Sequence, residues 1–280
     1  MRPRPLDRFP LVRTQDTEEL CAALSRIYAE PKLSLDRGAR RIDVAINHLQ
    51  LNDIGVGYTK YGKGMAAAYP ENNFALQVFP IRGLGKLTIG EAGNPLDQYH
   101  GSTVSPGTSF AIRFDIDYEH LVLVIRTTAL TNKLSALTGA SIKCPLCFNQ
   151  AQDYRQPASK ALRNHIFFLA DKLNVPAVPL PKLAVTEFEQ TLIVMFLHAN
   201  RHNYSHLLER RAPLAANIQV QRTEEYIEAN AHRAITLEEL ADVAGASIFS
   251  LCAAFKAYRG YLPLTFLARV RARRERAPCG

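Results

Sequence analysis

Two short segments striped with apolar residues meet at Gly245-Ala246-Ser247, and a break that short allows few arrangements of the chain. Thr236 is placed to cap a helix whose first turn carries Glu238 and Glu239, so a side-chain oxygen and two carboxylates meet the free amides and the positive end of the dipole. Glu239, three residues past the cap, completes a capping box. Leu237, Leu240, Ala241 and Ala244 follow helical spacing and form one buried face. Gly245 ends the helix, because a left-handed backbone costs glycine least. Ser247 caps a second helix that buries Leu251 and Phe255 and stops near Arg259-Gly260. Helices joined by about three residues cannot lie antiparallel in full contact, so they cross steeply and the second projects. In DNA-binding proteins such a helix enters the major groove.

The first half of the chain has a different period. Ile42–Leu51, Ile54–Tyr61, Phe74–Ile81, Lys86–Ile89, Ser109–Phe114 and Leu121–Thr127 are β-branched or aromatic runs separated by Gly, Pro, Asn and Asp. Short antiparallel strands at such intervals imply a small barrel or sandwich, with Gly101–Gly107 as a turn. Helices are expected over Leu130–Gly139, Pro157–Lys172 and the long stretch Val185–Arg210, where Phe188, Leu192, Phe196 and Ala199 share a stripe. Arg211–Asn217, containing Pro213, reads as a linker.

The residues after about 200 resemble a known family. Tyr226-Ile-Glu-Ala-Asn, Ile235-Thr-Leu-Glu-Glu-Leu-Ala, Gly245-Ala-Ser, Phe255-Lys-Ala-Tyr-Arg-Gly and Pro263 to Arg271 are similar to the first half of the DNA-binding domain of AraC/XylS-type transcriptional regulators. His202-Asn-Tyr-Ser-His-Leu-Leu is similar to the segment preceding that domain in the XylS-like branch, and Ser105-Pro-Gly, Leu123–Thr127 and Leu137-Thr-Gly match the sensor region more loosely. The resemblance implies an N-terminal barrel that takes a small organic effector, helices that form a homodimer, double-stranded DNA as partner, and RNA polymerase as a further partner if the regulator activates.

Two features depart from the family pattern. Where relatives offer arginine and glutamine soon after the capping serine, this chain has Phe249, Cys252 and Ala253, which give base edges almost no hydrogen bonds. Ser250, Lys256 and Arg259 are left as donors, with Ser247 near a phosphate and Arg271 in the basic run beyond. The family also places a second helix-turn-helix after a linking helix, and Gly280 falls just after that helix begins, so the DNA-binding region is expected to be incomplete. Phe249, Cys252 and Ala253 suit a protein groove, which keeps open a second reading: a truncated relative acting as a dominant-negative interaction module.

Charge supports a phosphate-bearing partner. The net charge is +8, and from Lys256 onward seven basic residues (Lys256, Arg259, Arg269, Arg271, Arg273, Arg274, Arg276) face one acidic residue, Glu275, whereas Arg222–Phe255 is net acidic. A solvated basic tail is the plainer alternative. Five scattered cysteines and the lack of a signal-like or membrane-spanning run point to a reducing cytoplasm and no membrane.

Other chemistry finds little support. Cys144-Pro-Leu-Cys147 has zinc-like spacing without a second ligand pair, so a thiol pair or a redox switch remains. His198, His202 and His206 recur every four residues and would line one helix face. A barrel of this kind resembles the cupins, which hold metals through paired histidines, but His48, His100 and His120 each stand alone. No triad, phosphate-binding loop or His-Glu-x-x-His motif occurs. A cupin-like metalloenzyme is thus the third and weakest reading, and neither metal nor cofactor is expected. Arg126 follows Val122 and Val124 on one strand face and is the single candidate for an effector carboxylate, against the alternative of an arginine reaching solvent.

The chain is therefore expected to be α+β. It reads as a cupin-like β-barrel sensor over 1–140, a helical connector and dimerisation region over 141–212, and an all-α helix-turn-helix region over 213–280.

Overall fold

A computed structural model describes residues 4–35, 41–174, 181–209 and 213–276. They form an α+β protein of two compact units, Met1–Lys133 with Ile142–Ser205 and Leu134–Ser141 with His206–Gly280.

The first unit opens with β1 (Pro10–Thr14), α1 (Thr17–Leu24), β2 (Lys32–Leu35), β3 (Val44–Gln50), β4 (Ile54–Tyr61), β5 (Met65–Tyr69), β6 (Phe74–Arg82) and β7 (Gly85–Ile89). It continues through β8 (Ala92–Leu96), β9 (His100–Val104), β10 (Phe110–Phe114) and β11 (Tyr118–Arg126), and α2 (Thr127–Thr138) follows directly. β12 (Ala151–Asp153), α3 (Pro157–Leu173) and α4 (Lys182–Ala199) complete it, and α5 (Ser205–Glu209) begins at its last residue. A seven-stranded sheet runs β1-β3-β4-β11-β6-β9-β12 and a five-stranded sheet runs β2-β5-β10-β7-β8. The two sheets share one hydrophobic core, which makes the unit a β-sandwich. β11 explains why its sequence runs apolar without a clean alternation. Val122 and Val124 join the core between the sheets while Leu121, Leu123 and Ile125, on the opposite face, are buried as well.

Two polar residues fasten the α4 segment to the sheet. The Glu189 carboxylate, almost fully buried, accepts from the backbone N–H of Asp53 (2.5 Å) and Ile54 (2.9 Å) and from Asn52 Nδ2 (3.2 Å), closing the β3–β4 turn. Asn200, at the C-terminus of α4, donates to Gln77 Oε1 (3.0 Å) and accepts from Thr103 Oγ1 (2.8 Å). Buried polar groups so paired fix a register that apolar packing alone leaves loose.

Several expectations need correction. The long helix from Val185 stops at Ala199, because Asn200 spends its side chain on the sheet. His198, His202 and His206 therefore do not share a helix face: His198 lies exposed on α4, His202 is buried in a bridge with Phe148, and His206 sits in α5. Gly101–Val104 belongs to β9, and the turn begins only at Ser105. Of the expected linker, Arg211 and Ala212 lie outside the described residues, and from Pro213 the chain is already helical, since proline is favourable in a first turn. Of the expected connector, the described residues within Ile142–Ser205 group with the strands in the first unit.

The second unit contains α6 (Pro213–Asn230), α7 (Leu237–Ala244), α8 (Ile248–Arg259) and α9 (Pro263–Arg276) around a core of Val220, Ile227, Leu240, Leu251, Phe255 and Phe266 with their neighbours. α7 and α8 meet at 82° across the three-residue break. No single helix among the described residues is long and apolar enough to cross a membrane.

Candidate effector cavity and candidate nucleic-acid interface

The strand period decides what lines the space between the sheets. Thr59 and Tyr61 on β4, Leu76 and Val78 on β6, and His120 and Val122 on β11 point inward from the large sheet. Tyr69 on β5 and Phe110, Ile112 and Phe114 on β10 answer from the small one, with Leu24 of α1 and Tyr28 of the following turn at the margin. Register places Thr59 opposite His120 and Tyr69 opposite Phe110. The rings stack: Tyr61 on Phe114 at 4.1 Å and 15°, Tyr69 on Phe110 at 4.9 Å and 17°, and His120 against Phe114 at 5.5 Å and 12°. They leave a cavity of about 30 Å³.

The electrostatics are those of a neutral site. No Asp, Glu, Lys or Arg lines it. Burial holds His120 unprotonated, its pKa pushed down to about 3, and its Nδ1 is buried with no partner. Burial also raises the phenols of Tyr28, Tyr61 and Tyr69, and Tyr69 feels the hydroxyls of the other two as well. Arg126 is not part of this site. Its side chain is exposed at the last residue of β11, where the chain leaves the sheet for α2 and its backbone N–H bonds Asp53 O.

In the second unit the caps are where the sequence places them. Thr236 Oγ1 accepts from Glu239 N–H (3.2 Å), Gly245 is left-handed at φ 62°, and Ser247 Oγ accepts from Ser250 N–H (3.1 Å). The capping box is not closed as expected. The Glu239 carboxylate instead takes hydrogen bonds from Tyr226 Oη and the Arg233 guanidinium, which hold it below the ordinary glutamate range and tie α7 to α6 and the turn that follows it.

The expected DNA-contacting residues separate into two groups. Ser250 and Lys256 are exposed on α8, with Phe249, Ala253 and Ala257 beside them, and the Lys256 ammonium has no partner among the described residues. Ser247 gives its hydroxyl proton to Ser250 Oγ (2.9 Å) as well as capping the helix. Arg259, by contrast, forms a two-pronged pair with Glu224 of α6 (2.7 and 2.8 Å), and Arg271 donates to the carbonyls of Ala231 (2.9 Å) and Arg233 (2.6 Å). Both arginines hold helices together in this unit. Phe249, 83% exposed, stands two residues past the cap and off the Leu251/Phe255 stripe, a position that already signals an outward side chain in the sequence.

No group of three or more His, Cys, Asp or Glu is placed to hold an ion among the described residues, and Cys144 and Cys147 are exposed free thiols.

The geometry is that of a β-sandwich with an aromatic-lined interior joined in sequence to a capped helix-turn-helix, and comparison with known proteins gives the family. The sequence matches the AraC-binding-like domain family over residues 20–198, and the chain belongs to that family. No curated protein sequence matches it. Among solved structures, the AraC-like transcriptional activator CuxR is 14% identical, with 88% of this chain and 87% of that one covered at a TM-score of 0.49. A predicted oxalate decarboxylase from Thermotoga maritima is 16% identical over 45% of this chain and 99% of its own, at 0.32. The cupin domain of Schizosaccharomyces pombe Cnp3 is 10% identical over 36% and 73%, at 0.29.

Proposed function

We propose that the chain is an AraC/XylS-type, non-enzymatic transcription regulator of the cytoplasm. Its β-sandwich answers to a small organic effector, and its helical unit binds double-stranded DNA through α8. Sensing is assigned to residues 1–140, connection and homodimerisation to 141–212, and DNA contact to 213–280, with RNA polymerase a further partner if the regulator activates. The observation that carries the reading is the outer face of α8. Phe249, Ser250, Ala253 and Lys256 stand exposed on a capped helix set at 82° to α7, the arrangement by which a helix-turn-helix offers its second helix to a groove. Lys256 supplies a charge for phosphate, and Phe249 and Ala253 supply apolar contact of the kind thymine methyls accept.

Binding of the purified chain to genomic fragments, followed by mobility shift over a salt series, tests this. Retardation that weakens with salt and with Lys256→Ala is expected. Absence of retardation at low salt contradicts the reading and favours the interaction module, for which the exposed Phe249 ring is the supporting observation. Coupling to an effector needs differential affinity between two states, so the same titration with and without ligand reports on it.

A further inference from the structure

We propose that the cavity between the sheets takes an uncharged, planar aromatic molecule carrying a hydrogen-bonding oxygen, and that Tyr28 moves aside to admit it. The inference rests on the sensing role of the sandwich and names the chemistry of its ligand.

Three observations carry it. The first is shape: the interior side chains form near-parallel stacks, Tyr61 on Phe114 and Tyr69 on Phe110, so the walls are flat π faces. Such walls favour a flat ring in offset stacking over a puckered one. The second is polarity. His120, 5% exposed, holds a buried, unpaired Nδ1 in this core, and the Tyr61 and Tyr69 side chains that line the same site have no hydrogen-bond partner among the described residues. An unpaired buried nitrogen is costly, and a ligand oxygen that pairs with the imidazole removes that cost, with the phenols of Tyr61 and Tyr69 able to donate to it as well. The third is charge. With no cation in the lining, a carboxylate would enter a low-dielectric space unpaired.

Size decides how the ligand enters. A cavity of about 30 Å³ has no room for a ring, whereas an apolar cavity of about 150 Å³ accepts benzene. One lining side chain must leave. Tyr28 is the candidate: it is only half-buried, stands on the turn after α1 instead of on a strand, and is held by an edge contact to Tyr69 (5.5 Å) and a tilted one to Phe74 (5.9 Å). Its displacement would shift the segment joining α1 to β2, so occupancy and the position of that cover become linked.

Calorimetric titration and thermal melting of the full chain test the proposal with three matched probes: acetophenone, benzoate and cyclohexyl methyl ketone. Acetophenone is expected to bind saturably and raise the melting temperature, with the other two at least about tenfold weaker. Tyr28→Ala should bind acetophenone about tenfold more tightly, because the cost of displacing the ring is removed. His120→Phe should weaken it while leaving the chain folded, since the substitution keeps a flat ring. Equal or tighter binding of benzoate overturns the assignment of a neutral ligand, and equal binding of the saturated ketone overturns the planar one. No saturable binding to either wild type or Tyr28→Ala overturns the site itself. Binding of acetophenone that leaves DNA affinity unchanged upholds the site and contradicts the regulatory coupling instead.

Discussion

The sandwich and the helical unit handle polar groups in opposite ways. In the helical unit several strong donors and acceptors are spent on the fold: Glu239 on Tyr226 and Arg233, Arg259 on Glu224, and Arg271 on two carbonyls. On α8, Lys256 and the Phe249 ring face outward and are not spent on the fold. In the sandwich an uncommitted group lies inside, at His120 Nδ1, in a cavity also lined by Tyr61 and Tyr69. A surface that meets a macromolecule needs exposed unspent groups on a rigid frame, whereas a cavity that meets a small molecule needs them buried and uncharged. The difference is the one that the proposed partners, a macromolecule and a small molecule, require.

The comparison breaks most visibly if the two phenylalanines of α8 behave alike. Phe255 is fully buried against Phe266, and Phe255→Ala should cost the helical unit about 3–5 kcal/mol in denaturant unfolding. Phe249→Ala should leave that transition in place, because the ring is already in water. A comparable loss in both would mean that Phe249 is packed in solution.

Next in size is the fastening of α4 to the β3–β4 turn. Glu189→Ala leaves the amides of Asp53 and Ile54 without acceptors, and about 2–4 kcal/mol of sandwich stability should go with them. Glu189→Gln keeps an acceptor there and should recover most of it.

A pH effect follows for the interior. His120 is held neutral in the folded chain with a pKa of about 3, while the unfolded imidazole titrates near 6.5. Between those values the unfolded state binds one proton more, so stability falls as pH drops, by about 1.4 kcal/mol per unit below about pH 6. His120→Phe should flatten this slope in unfolding measured from pH 7 to pH 4. The smallest change is expected at Arg259: its pair with Glu224 is partly exposed, so Arg259→Ala should cost under about 1 kcal/mol, and Lys256→Ala none.

How much of this was readable beforehand depends on how local each signal is. Thr236, Gly245 and Ser247 act on their own neighbours within four residues, and the structure has all three in the expected roles. The strands rich in β-branched and aromatic residues were equally plain. β5 (Met-Ala-Ala-Ala-Tyr) and β8 (Ala-Gly-Asn-Pro-Leu) were not, because sheet pairing and not propensity makes them strands. The cavity was hidden for the same reason. Tyr28, Tyr61, Tyr69, Phe110 and His120 come from five separate segments and meet only through sheet packing, though the alternation Phe110-x-Ile112-x-Phe114 marked one wall. Arg259 and Arg271 carried the right charge in the right stretch of sequence. Their partners, Glu224 and the carbonyls after α6, lie 35 and about 40 residues away and could not be read from composition.

The central claim, that the outer face of α8 meets DNA, is most directly tested by mobility shift of the full chain on one retained genomic fragment across a salt series. Lys256→Ala is expected to weaken retardation and lower the salt slope by about one, while Arg259→Ala, corrected for folding, changes the slope less. An unchanged affinity and slope for Lys256→Ala would contradict the account.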